Sequence, residues 1–198
     1  MRAVQDEVTR NRRADAERNR RHLVAVAHQA FARHGTDLPV REIARRAGLA
    51  PATVHRHFPS REDLVAAVFA GRAEQCGQQL RAALADPDSR RALTRTFHRF
   101  GEWQAGEGPL TDAMLARPAY AALRSDHTAA FTRLVERARA EGVVRPGISV
   151  DDVRVALMAL TSVRALPPGQ APEAVRRLTG VLLTGLLALP VGEDPVTR

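Results

Sequence analysis

Residues 51–57 read PATVHRH, and six of the seven side chains suit contact with a nucleic acid. Pro51 and Ala52 offer small apolar surfaces of the kind that meets a thymine methyl, and Thr53 offers a hydroxyl. His55, Arg56 and His57 supply donors for phosphates or base edges. None of these groups is arranged to break a bond; their chemistry is recognition, and it needs a helix held in a major groove. The residues before them supply the holder. Residues 40–47, VREIARRA, form a short segment with Ile43, Ala44 and Ala47 on one side. Gly48-Leu49-Ala50 has room only for a tight turn, in which Gly48 takes a positive φ without strain. Pro51 then suits the first position of a second helix, where its missing N–H costs nothing. Ile43, Ala44, Ala47, Leu49 and Val54 would form a small core, leaving Pro51, Ala52, Thr53, His55, Arg56 and His57 outward. This is the grammar of a helix-turn-helix. Arg41, at the start of the first helix, can reach a base or a phosphate, whereas Arg45 and Arg46 read as a solvated face. Two of the outward groups keep a second reading: His57 as a lining of the core, and Arg56 as a solvated cation.

Other chemistries find little support. All 30 basic residues are arginine, so a Walker-type phosphate loop, a kinase ATP site, a pyridoxal Schiff base and a Ser-x-x-Lys hydrolase are excluded for want of lysine. Seven histidines and the single Cys76 show no metal-ligand spacing: His55 and His57 are too close to share a helix face, and His22 and His28 are six apart. No serine sits in a nucleophile-elbow context, and no glycine-rich phosphate fingerprint occurs. Asp151 and Asp152 follow Ser149, where they serve best as a helix N-terminus. The expectation is a protein without enzymatic activity, metal or cofactor. A lone cysteine suits a reducing compartment.

The elements that must position the recognition residues are helical. Apolar residues recur at Leu23, Val26, Ala27, Ala30 and Phe31, an amphipathic helix over 14–34 that Gly35 stops. Residues 1–14 are polar and carry Arg10, Arg12 and Arg13; they read as a mobile arm, either entering a minor groove or acting as a solubilising tail. After 40–47 and 51–57, Ser60 and Asp63 resemble a capping box opening a long helix to about residue 85. Breaks follow at 86–87, 106–109, 117–118, 142–147, 167–169 and 190, and no window alternates with period 2. The fold class expected is all-α, about nine helices, with an arm at 1–14, a DNA-binding domain at 15–74 and a second helical domain at 75–198. Charge follows that division. The formal net charge is +8; residues 1–72 hold 14 Arg against 8 acidic residues, as expected of an end that meets a polyanion. The most apolar stretch, residues 178–191, is only 14 long and interrupted, so no membrane span is expected. The first residues lack an apolar signal segment, and the expected location is the cytoplasm.

Residues 16–69 as a whole resemble the TetR family of bacterial transcriptional regulators. The resemblance rests on the Phe-x-x-x-Gly stretch at Phe31–Gly35 and on EIARRAGLAPATVHRHFPSREDL. That stretch follows the family's Ile-Ala-x-x-Ala-Gly-Val/Leu and Thr-Val/Leu-Tyr-x-His-Phe-x-x-Lys-x-x-Leu collinearly. The resemblance implies DNA contacts from Arg41, Pro51, Ala52, Thr53, His55, Arg56, His57 and Arg61. Three departures stand out. His55 replaces the usual Tyr, Arg61 replaces the usual Lys while keeping the phosphate charge, and Val40 lacks the hydroxyl many members place there. Arg18, Arg20 and Arg21 are further phosphate candidates.

The resemblance also implies that residues from about 75 onward bind a small-molecule effector and form a homodimer on double-stranded DNA. Candidates for the effector pocket are Phe97, Phe100, Trp103, Met114, Tyr120, His127, Phe131 and Met158, with His98 and Gln104 as polar handles; plain core is the competing reading. Few charges offer a counter-ion, which favours an apolar or weakly polar ligand. Leu157 and Leu160 on one stripe, and Leu178, Leu182 and Leu186 on a last helix apolar nearly all round, are expected at a four-helix dimer interface; the alternative is an intramolecular core helix. Repression relieved by an effector is the expected function. Its rivals are a constitutive or architectural DNA binder and an arginine-rich interaction protein without a DNA role.

Overall fold

The computed structural model describes residues 2–167 and 169–189. Among them are eight α-helices: α1 (Arg2–His34), α2 (Val40–Ala47), α3 (Pro51–His57), α4 (Arg61–Ala85), α5 (Ser89–Leu115), α6 (Ala121–Ala140), α7 (Val150–Ala159) and α8 (Ala171–Leu186). Short 3-10 turns occupy Pro118–Tyr120 and Leu160–Ala165. No strand forms among the described residues, and Val144 and Leu187 make one isolated antiparallel bridge. The fold is all-α. Three expectations shift in detail. The segment read as an arm continues the first helix from Arg2, because no Gly or Pro interrupts residues 2–13; the side chains of Arg10, Arg12 and Arg13 lie outside the described ones. The break at 106–109 is a kink at Glu107 within α5 (φ −134°), two residues before a proline. The stretch 150–166 divides after Ala159, where Ser162 Oγ donates to the Ala159 carbonyl (2.7 Å) and the chain tightens into a 3-10 turn. Of the apolar stretch 178–191, residues 190 and 191 lie outside the described residues.

The chain separates into two compact units, one of residues 1–73 and 109–116, the other of 74–108 and 117–198. In the first, Leu23, Ala27, Ala30 and Phe31 of α1 are buried together with Ile43, Ala44 and Ala47 of α2 and Val54 of α3. Leu64, Val65, Val68 and Phe69 complete that core from α4. Two devices close the end of α2. Gly48 adopts a left-handed conformation (φ 65°) that closes α2, and His22 donates from Nε2 to the Ala47 carbonyl (3.1 Å). The capping box of α4 forms as the spacing predicts: Ser60 N donates to Asp63 Oδ2 (3.0 Å) and Asp63 N to Ser60 Oγ (3.1 Å).

The second unit packs Leu93 and Phe97 of α5, Leu134 and Val135 of α6, and Val153 and Leu157 of α7 around one core, with Leu183 and Leu186 of α8. Gly101 allows α8 to come close, since a Cβ there would meet Val175 Cγ1 at 2.8 Å. Ser149 and Asp152 cap α7 reciprocally. The end of α4 is closed by one side chain. Arg137 of α6 donates to the carbonyls of Leu84 (2.7 Å), Ala83 (3.2 Å) and Asp86 (2.9 Å), and to Ser89 Oγ (2.8 Å). These acceptors are what a helix end leaves without intrahelical partners. Arg137→Met should therefore cost about 2–4 kcal/mol of folding stability, by stranding several part-buried carbonyls at once. Arg176→Met, which removes an exposed pair with Glu173, should cost well under about 1 kcal/mol. Denaturant melts of the two variants check the contrast, and equal losses would contradict it.

Candidate nucleic-acid interface and effector cavity

The first site lies in the unit built by α1–α3. With Val54 fully buried, the outward face of α3 presents Pro51, Ala52, His55 and Arg56, all exposed, and Thr53 and His57, both half-buried. Arg41 is exposed at the start of α2 and has no ion-pair partner among the described residues. Arg56 donates to Thr53 Oγ1 (3.1 Å), so these two α3 groups are held against each other. Arg45 and Arg46 are occupied differently: both donate to Glu42 (2.7–2.8 Å) and hold its carboxyl down to about 2. Their charge is balanced on α2 itself, in keeping with a solvated face. Arg61 also has a structural occupation that spacing did not reveal. It donates to the Thr36 carbonyl and to Asp37 Oδ1 (2.7 Å), tying α4 to the turn after α1. Arg20 lies over the Phe58 ring at 4.9 Å, a cation–π contact. The basic side chains left without such partners on this face are Arg41, His55 and His57.

The second site is a cavity of about 460 Å3 within the other unit. Its walls come from α4 (Cys76, Gln79, Leu80, Ala83), α5 (Thr96, Phe100, Trp103), α6 (His127, Thr128, Phe131) and α7 (Leu157, Met158). Phe100 and Trp103 meet edge to face, centroids 5.9 Å apart. Burial pushes the His127 imidazole below its ordinary value, against a smaller upward pull from Asp126. Its Nε2 is buried without a hydrogen-bond partner among the described residues.

Five of the eight expected pocket residues line this cavity: Phe100, Trp103, His127, Phe131 and Met158. Phe97 is fully buried in the core instead. Met114 is buried in the other unit, and Tyr120 sits in the 3-10 turn outside the lining. Gln104 is no handle, because it is buried and accepts from Arg164 Nε (2.5 Å). His98 is also outside the lining. The expectation of few counter-ions fails: Arg95, Arg99 and Arg154 stand in the lining. Their spacing carries the signal, since 95, 99 and 103 share one α5 stripe.

The leucine stripes expected at a dimer interface lie mostly inside the unit. Leu157, Leu160 and Leu186 are buried in its core, and Leu178 and Leu182 are half-buried against it. The last helix is not enclosed on every side. Its inner face buries Ala171, Val175, Thr179, Leu183 and Leu186, while Val181 is 70% exposed. On α7, Val155 is 68% exposed. Among the described residues, the large apolar side chains left outward are Val155, Met158, Leu166, Val181 and Leu189.

The His127 shift has a pH consequence. The unfolded imidazole titrates near 6.5 and the folded one lower, so between those values the unfolded chain binds more protons. Stability should fall as pH drops through 6.5 toward the folded value. Thermal melts of wild type and His127→Asn from pH 7.5 to 5 should show a shallower acid loss in the variant; parallel curves would contradict this.

Comparison with known proteins finds matches in both parts of the chain. The model for bacterial regulatory proteins of the tetR family matches residues 23–68, and that for the C-terminal domain of SbtR-like transcriptional regulators matches residues 88–188. No curated protein sequence matches the chain. Among solved structures, it is similar to a TetR regulatory protein from Mycobacterium vanbaalenii, with 29% identity and a TM-score of 0.65, over 89% of this chain and 99% of that one. A TetR regulator from Streptomyces coelicolor is 27% identical with a TM-score of 0.64, over 85% and 98% of the two chains. The fold alone is shared with the ketosteroid regulator KstR2 of Mycobacterium tuberculosis, at 19% identity, a TM-score of 0.65, and 86% and 95% coverage. No described helix is long and apolar enough to cross a membrane. From its helix-turn-helix unit and its helical C-terminal domain, the chain belongs to the TetR family of bacterial transcriptional regulators.

Proposed function

We propose that the protein is a cytoplasmic, homodimeric repressor that leaves a pseudo-palindromic operator when a small molecule enters the C-terminal cavity. The observation that carries this reading is the pairing of two unspent features in one chain. One is a recognition face of exposed Arg41, Pro51, Ala52, His55 and Arg56 with half-buried Thr53, on a packed support. The other is a cavity whose size suits a small ligand. Support also comes from the printed names of structures sharing this fold, a ketosteroid regulator and a gamma-butyrolactone receptor.

Recognition would run as follows. α3 enters the major groove, with His55 and Arg56 toward base edges and Thr53 and Arg41 toward phosphates. His57, half-buried, sits at the margin of that contact. Arg61, already held by Asp37, would contribute by fixing the turn and lending its charge to the field. One such helix reads too few bases, so two copies would read half-sites about 34 Å apart. Val155 and Val181, exposed on α7 and α8, with the half-buried Leu178 and Leu182 beside them, are the groups a partner copy would cover, whereas Leu157, Leu160 and Leu186 are already packed in the core. α4 runs from Arg61 to Ala85 and supplies residues to both units. A ligand bound more tightly in the operator-incompetent state would act through that helix.

Selection from random duplexes should return a two-fold symmetric site, and an asymmetric single site would contradict the dimeric reading. On the selected site, Arg41→Ala should weaken binding by about tenfold. The slope of log K against log salt should become shallower by about 2, one phosphate per subunit. An unchanged slope would remove Arg41 from the interface.

A further inference from the structure

We propose that the C-terminal cavity selects an amphipathic anion, with its apolar body inside and its anionic head held at the mouth by Arg95 and Arg99. The proposal rests on the effector reading above and names the chemical class of the ligand.

Position carries the argument first. At 100° per residue, positions 95, 96, 99, 100 and 103 of α5 fall within an arc of about 140°. The two arginines thus share one wall with Phe100 and Trp103, and all four line the cavity. The arginines are exposed, whereas Phe131 and Leu157 opposite are buried. The chamber is apolar inside and cationic at its opening.

Charge carries it next. Among the described residues neither Arg95 nor Arg99 has a carboxylate within ion-pair distance, and Arg95 stands near enough to Asp86 only to help hold that carboxyl low. The two lie one turn apart on the same face, where like charges repel. An anion between them relieves that repulsion and meets two planar donors. The acidic residue of the lining, Asp86, is committed mainly elsewhere: its carboxylate accepts from Arg91 Nε (2.9 Å) and from Asp88 N (3.0 Å), and Arg95 acts on it only through space, as the smallest of these influences. A third cation, Arg154, is paired with Asp151 (2.8 Å) and adds to the field. A cationic ligand is repelled at the opening, and a neutral one leaves the guanidinium pair unanswered.

The test compares three probes of equal chain length on the full-length protein, each below its self-association concentration: decanoate, 1-decanol and decylamine. Calorimetry should rank decanoate at least about tenfold tighter than decanol, with decylamine weakest. In Arg95→Gln/Arg99→Gln, decanoate should fall to the affinity of decanol, while decanol binding stays unchanged and so reports an intact cavity. The control Arg133→Gln/Arg139→Gln removes the same charge from exposed positions of α6 outside the lining, and it should keep the tenfold preference. Equal binding of decanoate and decanol to wild type would overturn the anion selection and leave the cavity reading standing. A preference that survives the Arg95/Arg99 variant, or vanishes in the control, would overturn it as well. Binding of none of the three would overturn both readings.

Discussion

The C-terminal unit depends on the fork of Arg137. Its guanidinium gathers three carbonyls at the end of α4 and the hydroxyl that opens α5, from a position on α6. Those three helices are three of the cavity's four walls. An ammonium ion is a compact point donor and could not span acceptors spread over a helix end and the following loop; a planar fork can. The same solution recurs. Arg145 donates to the Thr184 and Leu187 carbonyls (2.8 and 2.9 Å) and so closes the end of α8, and Arg61 closes the turn after α1. In a chain without lysine, arginine is both the helix-end cap and the free cation offered to ligands. Which role each one takes is decided by whether carbonyls or solvent surround it.

That division explains which features are legible in the amino-acid sequence. The helix-turn-helix was legible because its determinants are local: Gly48 at the turn, Pro51 at a helix start, and apolar residues at helical spacing, all within 19 residues. The capping pairs Ser60–Asp63 and Ser149–Asp152 were legible for the same reason. The cavity was legible only in part. Phe100, Trp103 and Phe131 announced an aromatic cluster, but Phe97, with the same composition and spacing, went to the core. Choosing between them depends on which side of α5 meets α6 and α7, a contact between residues far apart in the chain. The contribution of α4, through Leu80 and Ala83, had no local signal at all.

The leucine stripes show the limit of periodicity most clearly. A stripe at i, i+3, i+4 states that a face is covered, and it does not say by what. Leu157, Leu160 and Leu186 are covered by their own unit, while Val155 and Val181, in the same two helices, are left exposed. Arg61 gives the same lesson for charge. A cation at a family's phosphate-binding position can be spent on a neighbouring carbonyl, and only its surroundings tell.

These parts join in one physical statement: a packed support carries an unspent polar face, and a second unit carries an unspent cavity. A ligand in one can alter the other only if it distinguishes two states of the protein, and the coupling must then be reciprocal. The direct measurement is the affinity of the full-length protein for its selected operator at fixed salt, without and with saturating decanoate. A loss of about fivefold or more, matched by the same loss in decanoate affinity when operator is present, is the result this account predicts. An operator affinity unchanged by saturation of the cavity would contradict it.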